Sequence, residues 1–320
     1  MFIRHSEKQS AHEPAPNAQP LVYVVVVNWN TAEYTVACFA SLQAISYPNY
    51  RILVIDNASS DGSPDVIGTA YPDVSLIRLS ENFGFTGANN VGFQHALEHG
   101  AAFVYLLNAD TRVAPNFLTQ AVHTALSDAS IGIVGSKVLH ADRPDTLQSM
   151  GLRANLTIGH HGRSFGYDQI DQGQCDHITD VDLLGGCAMM ISRACLETVG
   201  GFDDAFFAFQ EDFDVCLQAK AAGFRVVMSP LSRVWHYGGG SVGGAVSASH
   251  MYYNVRNTLR LLGKHRPMSN KAVKLARTGC VVGAHVMQVL LNKPSRAALR
   301  EIVRGALDYH RGIAHARPQP

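Results

Sequence analysis

Short apolar, β-branched runs alternate with helix-like segments through the first third of the chain. Leu21 to Val27 (LVYVVVV) is unbroken and closes on Asn28, the pattern of a strand buried on both faces of a parallel sheet. Thr31 to Ile45 follows, with Val36, Phe39, Ala40 and Leu42 at helical spacing and Thr31 placed as an N-cap. Arg51 to Ile55 before Asp56, Val74 to Leu79, and Phe103 to Leu107 before Asn108-Ala109-Asp110 repeat the strand pattern. Helices opened by Asp61-Gly62-Ser63-Pro64 and spanning Gly87 to His99 lie between them. Such alternation predicts an α/β fold, a mostly parallel, doubly wound sheet flanked by helices. Its ligand belongs at the carboxyl ends of the strands. Asn28, Asp56 and Asp110 all stand just past strand ends, so topology alone gathers three polar side chains at one crevice.

After Ile131 to Leu139 the alternation weakens. Gly151 to Gly173 reads as hairpins or loop, and Val181 to Ile191 as a strand-like run with Gly185-Gly186 in its middle. Ser249 to Arg311 is helical throughout. These shifts divide the chain into a polar leader over 1–20, expected to be disordered, a catalytic domain over 21–248 and a basic helical extension over 249–320. The longest apolar run after residue 250, Val281 to Leu291, is interrupted by Gly283, His285 and Gln288. It falls short of the roughly 20 residues that cross a bilayer, so no spanning segment is expected.

The overall balance of 26 Lys+Arg and 26 Asp+Glu conceals a split. Residues 251 to 320 hold 13 of the cations and two acids, Glu301 and Asp308. A tail so basic suits an anionic surface, or equally a solvated face docked on the acidic body. Arg296, Arg300 and Arg304 form a stripe beside Leu299, Ile302, Val303 and Leu307. That pattern fits an interfacial helix in peripheral contact with anionic lipid, and equally packing on the body or on a second copy in a homo-oligomer. Aromatic residues are not interleaved with the arginines for base stacking, so no nucleic acid is expected. The six cysteines form no CxxC pair or disulfide ladder, which fits a reducing, cytoplasmic setting.

Four polar segments could carry chemistry. Asp56-Asn57-Ala58-Ser59-Ser60-Asp61 follows a buried strand. Asp61 and Ser63 suit a turn, whereas a carboxylate at the position of Asp56 needs a donor such as a base N–H or a ribose hydroxyl. Asn82, Gly84, Phe85 and Asn89 lie where a strand meets a helix, and backbone N–H groups there favour an anion or a sugar ring. Asp110, beside a diphosphate, requires a hard cation, Mg²⁺ or Mn²⁺, to which the imidazole of His236 would be a second ligand. The glycines after His236 would let a lid close over substrate. Glu211-Asp212-Phe213-Asp214 opens a helix behind Phe206, Phe207 and Phe209. Three acids there favour the helix dipole, and the aromatic lead-in would tune Asp212 as a general base.

VVVVNWN (24–30), VIDNASSDGS (54–63), ENFGFTGANNVG (81–92), LLNADT (106–111), GGCAMMISR (185–193), GGFDDAFFAFQEDFDVCLQAKAAGFRV (200–226) and WHYGGGS (235–241) together resemble the family 2 glycosyltransferases of GT-A fold. Within that family the chain is similar to the bacterial rhamnosyltransferases. The resemblance implies an inverting enzyme that takes a sugar from a nucleotide-sugar donor, for instance L-rhamnose from dTDP-rhamnose, to a glycan or lipid-linked acceptor in cell-wall polysaccharide biosynthesis. It implies donor contacts from Asn28, Asn30, Asp56, Asn57, Asn82, Gly84, Phe85, Asn89, Asn108 and Asp110, metal ligation by Asp110 and His236, and catalysis by Asp212 in the Glu211-Asp212 pair. Asn108 stands where many relatives carry the first Asp of their metal motif. Neither the QxxRW motif nor the membrane spans of processive members occur, which implies transfer of a single sugar. Tyr252-Tyr253-Asn254-Val255-Arg256-Asn257 also resembles that branch, and Arg256 would reach a phosphate or else lie on a helix surface. Other donor sugars (galactofuranose, N-acetylglucosamine or glucose), a sugar-nucleotide nucleotidyltransferase, and a non-catalytic glycan-binding module are the alternatives. A nucleotidyltransferase would carry a glycine-rich, basic signature after the first strand, where this chain has NWNTAEY.

Overall fold

The computed structural model describes residues 19–156, 160–161, 164–174, 176–238, 247–292 and 294–314. The expected leader, apart from Gln19 and Pro20, and the expected lid glycines at Gly239 and Gly240 lie outside the described residues. The predicted alternation appears as β1 (Val22–Asn28), α1 (Ala32–Leu42), β2 (Tyr50–Asp56), α2 (Ser63–Ala70), β3 (Ser75–Arg78), α3 (Gly84–Glu98) and β4 (Phe103–Asn108). The four strands pair in parallel in the order β3-β2-β1-β4. Alternate residues serve opposite layers. Val25, Leu53 and Leu106 face one apolar cluster, while Val24, Val26, Val54 and Tyr105 face the other, which is why these strands read as unbroken apolar runs.

The second half is mixed. It comprises β5 (Thr111–Val113), α4 (Phe117–Leu126), β6 (Ile131–His140), β7 (Leu147–Ser149), β8 (Ala154–Asn155), β9 (His160–His161), β10 (Thr179–Asp180), β11 (Ala188–Ser192), α5 (Arg193–Val199), α6 (Glu211–Ala221) and β12 (Arg225–His236). The strand β11 inserts antiparallel between β4 and β6, and β12 continues the sheet parallel to β6. The run Val181 to Ile191 is therefore a strand only in its last part. Gly186 turns its N–H toward a side chain, Asp212, instead of a neighbouring strand.

Three helices complete the described chain: α7 (Ala248–His265), α8 (Lys271–Asn292) and α9 (Arg296–His310). They share a separate apolar cluster built from Met251, Val255, Leu259, Val281, Val289, Ile302 and Ala306. The backbones of α7 and α9 approach so closely at Gly305 that a Cβ there would lie 2.5 Å from the Tyr252 carbonyl oxygen. Tyr252 also donates its hydroxyl to Asp308, which is buried. The basic stripe is thus only partly docked. Arg296, Arg300, Val303 and Leu307 stay exposed, while Ile302 is buried.

Candidate active site

Parallel pairing places Asn28 beside Asp56 and Val27 beside Asn108, so three strand ends open on one edge. There the Asn28 amide donates to Asp56 Oδ1 at 2.8 Å and to Ser59 Oγ at 3.0 Å, and its oxygen accepts from Thr31 and Thr35. The Ser59 N–H donates to Asp56 Oδ2 at 3.1 Å. The donor that burial of Asp56 demands is accordingly supplied by the protein, and the carboxylate keeps lone pairs beyond the two it uses. Thr31 stands at the N-cap of α1, but its hydroxyl donates to Asn28 and makes no capping hydrogen bond. Asn30, at φ 52°, accepts from the Ser60 N–H at 2.8 Å and ties the first strand-end loop to the second.

At the third loop, Asn57 locks Asn82. Its amide donates to Asn82 Oδ1 and to the Gly84 carbonyl, and its oxygen accepts from the Phe83 N–H at 2.9 Å. Helix α3 starts at Gly84, three residues earlier than its apolar pattern suggests, because Asn82 accepts the Gly84 N–H. The anion cradle expected at this helix start is partly filled. The Thr86 N–H and hydroxyl both donate to the Phe207 carbonyl, and a Cβ on Gly84 would overlap that oxygen.

Four residues expected at the donor spend hydrogen bonds within the protein, as Asp56, 2% exposed, also does. Asn28, Asn57 and Asn89 are at most 3% exposed, and each is engaged within the protein, Asn89 through the Phe85 carbonyl. These bonds tie together the loops that border the crevice. Arg256 is fully buried and donates to the carbonyls of Phe206 and Ala205 and to the Asn257 side chain, so it reaches neither a surface nor a phosphate.

Asp110 and His236 do meet. Strand β5 pairs antiparallel with the end of β12 and sets His236 opposite Thr111, which brings His236 Nε2 to 3.2 Å from Asp110 Oδ1. On its other side, His236 Nδ1 lies 2.7 Å from Gln148 Oε1, an acceptor. The proton therefore belongs on Nδ1, and the Nε2 lone pair faces a carboxylate, an arrangement that repels unless a proton or cation lies between. Asn108 Oδ1 is buried with no hydrogen-bond partner among the described residues. One carboxylate, one imidazole and one amide oxygen fit a hard divalent ion whose other ligands come from phosphate and water. Among the described residues there is no group of three or more His, Cys, Asp or Glu side chains placed to hold a metal.

Asp212 is held against the segment that precedes β11. Helix α6 begins after Phe207, Phe209 and Gln210, three non-glycine residues at φ 65°, 68° and 75°. This turn presents Asp212 to the Gly186 N–H, which donates to its Oδ2 at 2.8 Å. A Cβ on Gly186 would lie 3.3 Å from the Asp212 Cβ and 3.5 Å from the Phe85 ring, so a side chain there would crowd both. Cys187, next along, gives its carbonyl to the Asn108 N–H at 2.9 Å. Its thiol is pushed up to about 12 by burial and then by the negative charges of Asp110 and Asp212, which flank it. The 185–187 segment thus bridges the two carboxylates. Gly186, Cys187 and Gln148 were not among the expected site residues; a glycine pair inside an apolar run was the available signal.

Burial pushes Asp212 up to about 6, against the Gly186 and Phe213 N–H groups, which pull it down. Its neighbour Glu211 is raised well above the carboxylate range by burial and then by the charges of Asp212 and Asp214, and Glu211 Oε2 has no hydrogen-bond partner among the described residues. Burial and the neighbouring carboxylates thus favour the protonated form of Glu211. Glu211→Gln, which preserves size and removes the disfavoured buried charge, should keep turnover within about tenfold of the parent, checked by initial rates at saturating substrate. Asp214 serves neither role: it is fully buried and paired with Lys264 at 2.8 Å and His265 at 2.7 Å.

Residues 18–260 match the family model described as "Glycosyltransferase like family 2". The chain is 23% identical over 255 residues to an N-acetylglucosaminyl-diphospho-decaprenol L-rhamnosyltransferase of Mycobacterium tuberculosis, covering 73% of this chain and 81% of that one. It is 24% identical over 260 residues to a dTDP-rhamnosyl transferase, RfbF, of Shigella flexneri, covering 77% and 82% respectively. Among solved structures, a mannosyltransferase from Pyrobaculum calidifontis in complex with GDP-Man and Mn²⁺ superposes with a TM-score of 0.58 at 17% identity, covering 93% of this chain and 89% of that one. The fold is that of the GT-A glycosyltransferases.

Proposed function

The chain belongs to the glycosyltransferase-like family 2 and is a glycosyltransferase, and from that premise we propose that it moves one L-rhamnose from dTDP-rhamnose to a glycan or lipid-linked acceptor with inversion. The observation that carries this reading is the approach of Asp212, a raised carboxyl, to the Asp110–His236 pair across the short 185–187 segment. The acceptor oxygen gives its proton to Asp212 as it attacks the anomeric carbon, and the bond from that carbon to the diphosphate oxygen breaks with its electron pair leaving on the diphosphate. A single displacement inverts the centre. Asp110 and His236, with Asn108 beside them, would hold Mg²⁺ or Mn²⁺, which neutralises charge on the departing diphosphate. Asn30, Asp56, Asn82, Gly84 and Phe85 would line the donor end. The names of the two rhamnosyltransferase relatives support the choice of sugar.

The catalytic unit is assigned to residues 21–248, with 249–320 as an extension that meets membrane from the cytoplasmic side. Leu275, Met287 and Leu291 on α8 are more than half exposed, which suits an interface rather than a core. Among the described residues no helix is long and apolar enough to cross a bilayer.

The decisive measurement is thermal stability with dTDP-rhamnose, other nucleotide sugars and Mn²⁺. A shift specific to dTDP-rhamnose with metal is expected, together with an inverted product by NMR. Equal shifts for every sugar would overturn the donor assignment. His236→Ala and Asp110→Asn should each weaken Mn²⁺-dependent donor binding by roughly 10- to 100-fold, read as a rightward move of the Mn²⁺ titration.

A further inference from the structure

Away from the crevice, a cavity of about 510 Å³ opens between α7, α8 and α9. Its walls carry four cations, Arg260, Lys264, Lys274 and Arg277, against one carboxylate, Asp203. Lys264 is engaged by Asp203 and Asp214, which leaves three positive side chains without a carboxylate in the wall. Arg277 is anchored by one nitrogen only: Nη1 donates to the carbonyls of Leu262 at 3.1 Å and Arg266 at 3.0 Å. Its Nε and Nη2 are buried and have no hydrogen-bond partner among the described residues, and the same holds for Arg260 Nε. Nε and Nη2 form the edge of the guanidinium that takes two oxygens of a phosphate or carboxylate side by side. Lys274 adds a compact charge held over the Tyr309 ring, 5.4 Å from its centre.

Buried N–H donors without acceptors are costly unless something accepts from them. Arg260 and Arg277, which carry these donors, line a space far larger than one water needs, within the part of the chain that concentrates the cations. We propose that this cavity is a second anion site, distinct from the donor crevice, that binds a phosphate or diphosphate group among the three lining cations Arg260, Lys274 and Arg277. The assignment does not depend on the identity of the sugar or on the roles given to Asp110 and Asp212. Phosphate of this kind reaches the protein either as the headgroup of a phospholipid or as a phosphate ester free of membrane.

The test titrates the full chain with inorganic pyrophosphate in EDTA, which removes metal-assisted binding at Asp110 and His236. Saturable binding is expected, unchanged in Asp110→Asn and weakened about tenfold or more in Arg277→Gln, the loss of one charge-assisted contact. Lys274→Gln, whose side chain lies outside the Arg277 anchor, keeps the test open if Arg277→Gln fails to fold; it should weaken binding at an unchanged melting temperature. Vesicles of phosphatidylglycerol and of phosphatidylcholine then separate the sources. Retention by phosphatidylglycerol alone, reversed by pyrophosphate, supports the site as a lipid headgroup site. Intact pyrophosphate binding without retention supports it as a site for free phosphate esters. Pyrophosphate that fails to bind in EDTA, or binds equally well to the parent and both variants, overturns the proposal.

Discussion

Asp212→Asn is expected to lower turnover by about 10²- to 10⁴-fold, the range that loss of a general base produces, while dTDP-rhamnose binding stays near the parental value. Asn retains an oxygen to accept the Gly186 N–H, so the 185–187 segment keeps its place and the defect is chemical. The pH profile supplies an independent check. Burial holds the Asp212 carboxyl at about 6 in the folded protein, and only its ionised form takes a proton. The rate at limiting donor should therefore fall as pH drops through 6, with the acidic limb absent from the residual activity of Asp212→Asn. Stability runs the other way. Because folding raises this group above its unfolded value of 3.8, the folded state binds more protons between pH 4 and 6. This residue thus weakens the fold as pH rises across that window. Activity gained as pH rises through 6 and stability lost between pH 4 and 6 together identify a base kept in an unfavourable setting for its chemistry. A variant that loses donor affinity along with turnover, or a parent with no acidic limb, would assign the proton transfer elsewhere.

What the sequence discloses about this site follows from the range of each interaction. Strand ends are local events: an apolar run stops, a polar residue follows, and Asn28, Asp56 and Asn108 are found without knowledge of anything distant. Their meeting is equally legible, because parallel strands of an α/β sheet align their carboxyl ends. The Asp110–His236 contact is not local, since it depends on β5 folding back onto β12, a three-residue strand with no pattern of its own. Side-chain fate is harder still. Asn28, Asn57, Asn89 and Arg256 are all hydrogen-bonding groups beside a crevice, and composition cannot tell a group facing ligand from one facing a backbone carbonyl. The difference lies in which loop lies above, and for Arg256 that loop is some fifty residues away. The same holds for Asp214, whose partners Lys264 and His265 come from a helix that the sequence presents as an appendage.

Asn257→Ala should be the most damaging change outside the crevice. Phe207, Phe209 and Gln210 sit in the left-handed region at a cost of about 1–3 kcal/mol each for residues with a Cβ. What holds them is α7. The Asn257 amide is shared among the carbonyls of Phe206, Ala208 and Phe209 at 2.9, 2.6 and 2.8 Å, and Arg256 adds a bond to Phe206 at 2.7 Å from between the Tyr252 and Tyr253 rings. Both residues are fully buried, so water does not readily replace a lost donor. Truncation of Asn257 leaves several carbonyls unmatched, at roughly 1–3 kcal/mol for each group left bare, and a loss of about 3 kcal/mol or more is expected by denaturant unfolding. The loop so released is the one that aims Asp212 at Gly186. Turnover should then fall well beyond what the unfolded fraction explains, and the acidic limb near 6 should move toward the ordinary carboxylate range as Asp212 gains water. Arg256→Lys should show the same pattern more weakly, since a lysine keeps the charge but not the planar fork. Melting that drops while both the limb and the specific activity of the folded fraction stay parental would make the α7 clamp a matter of stability alone and separate it from the aiming of the base.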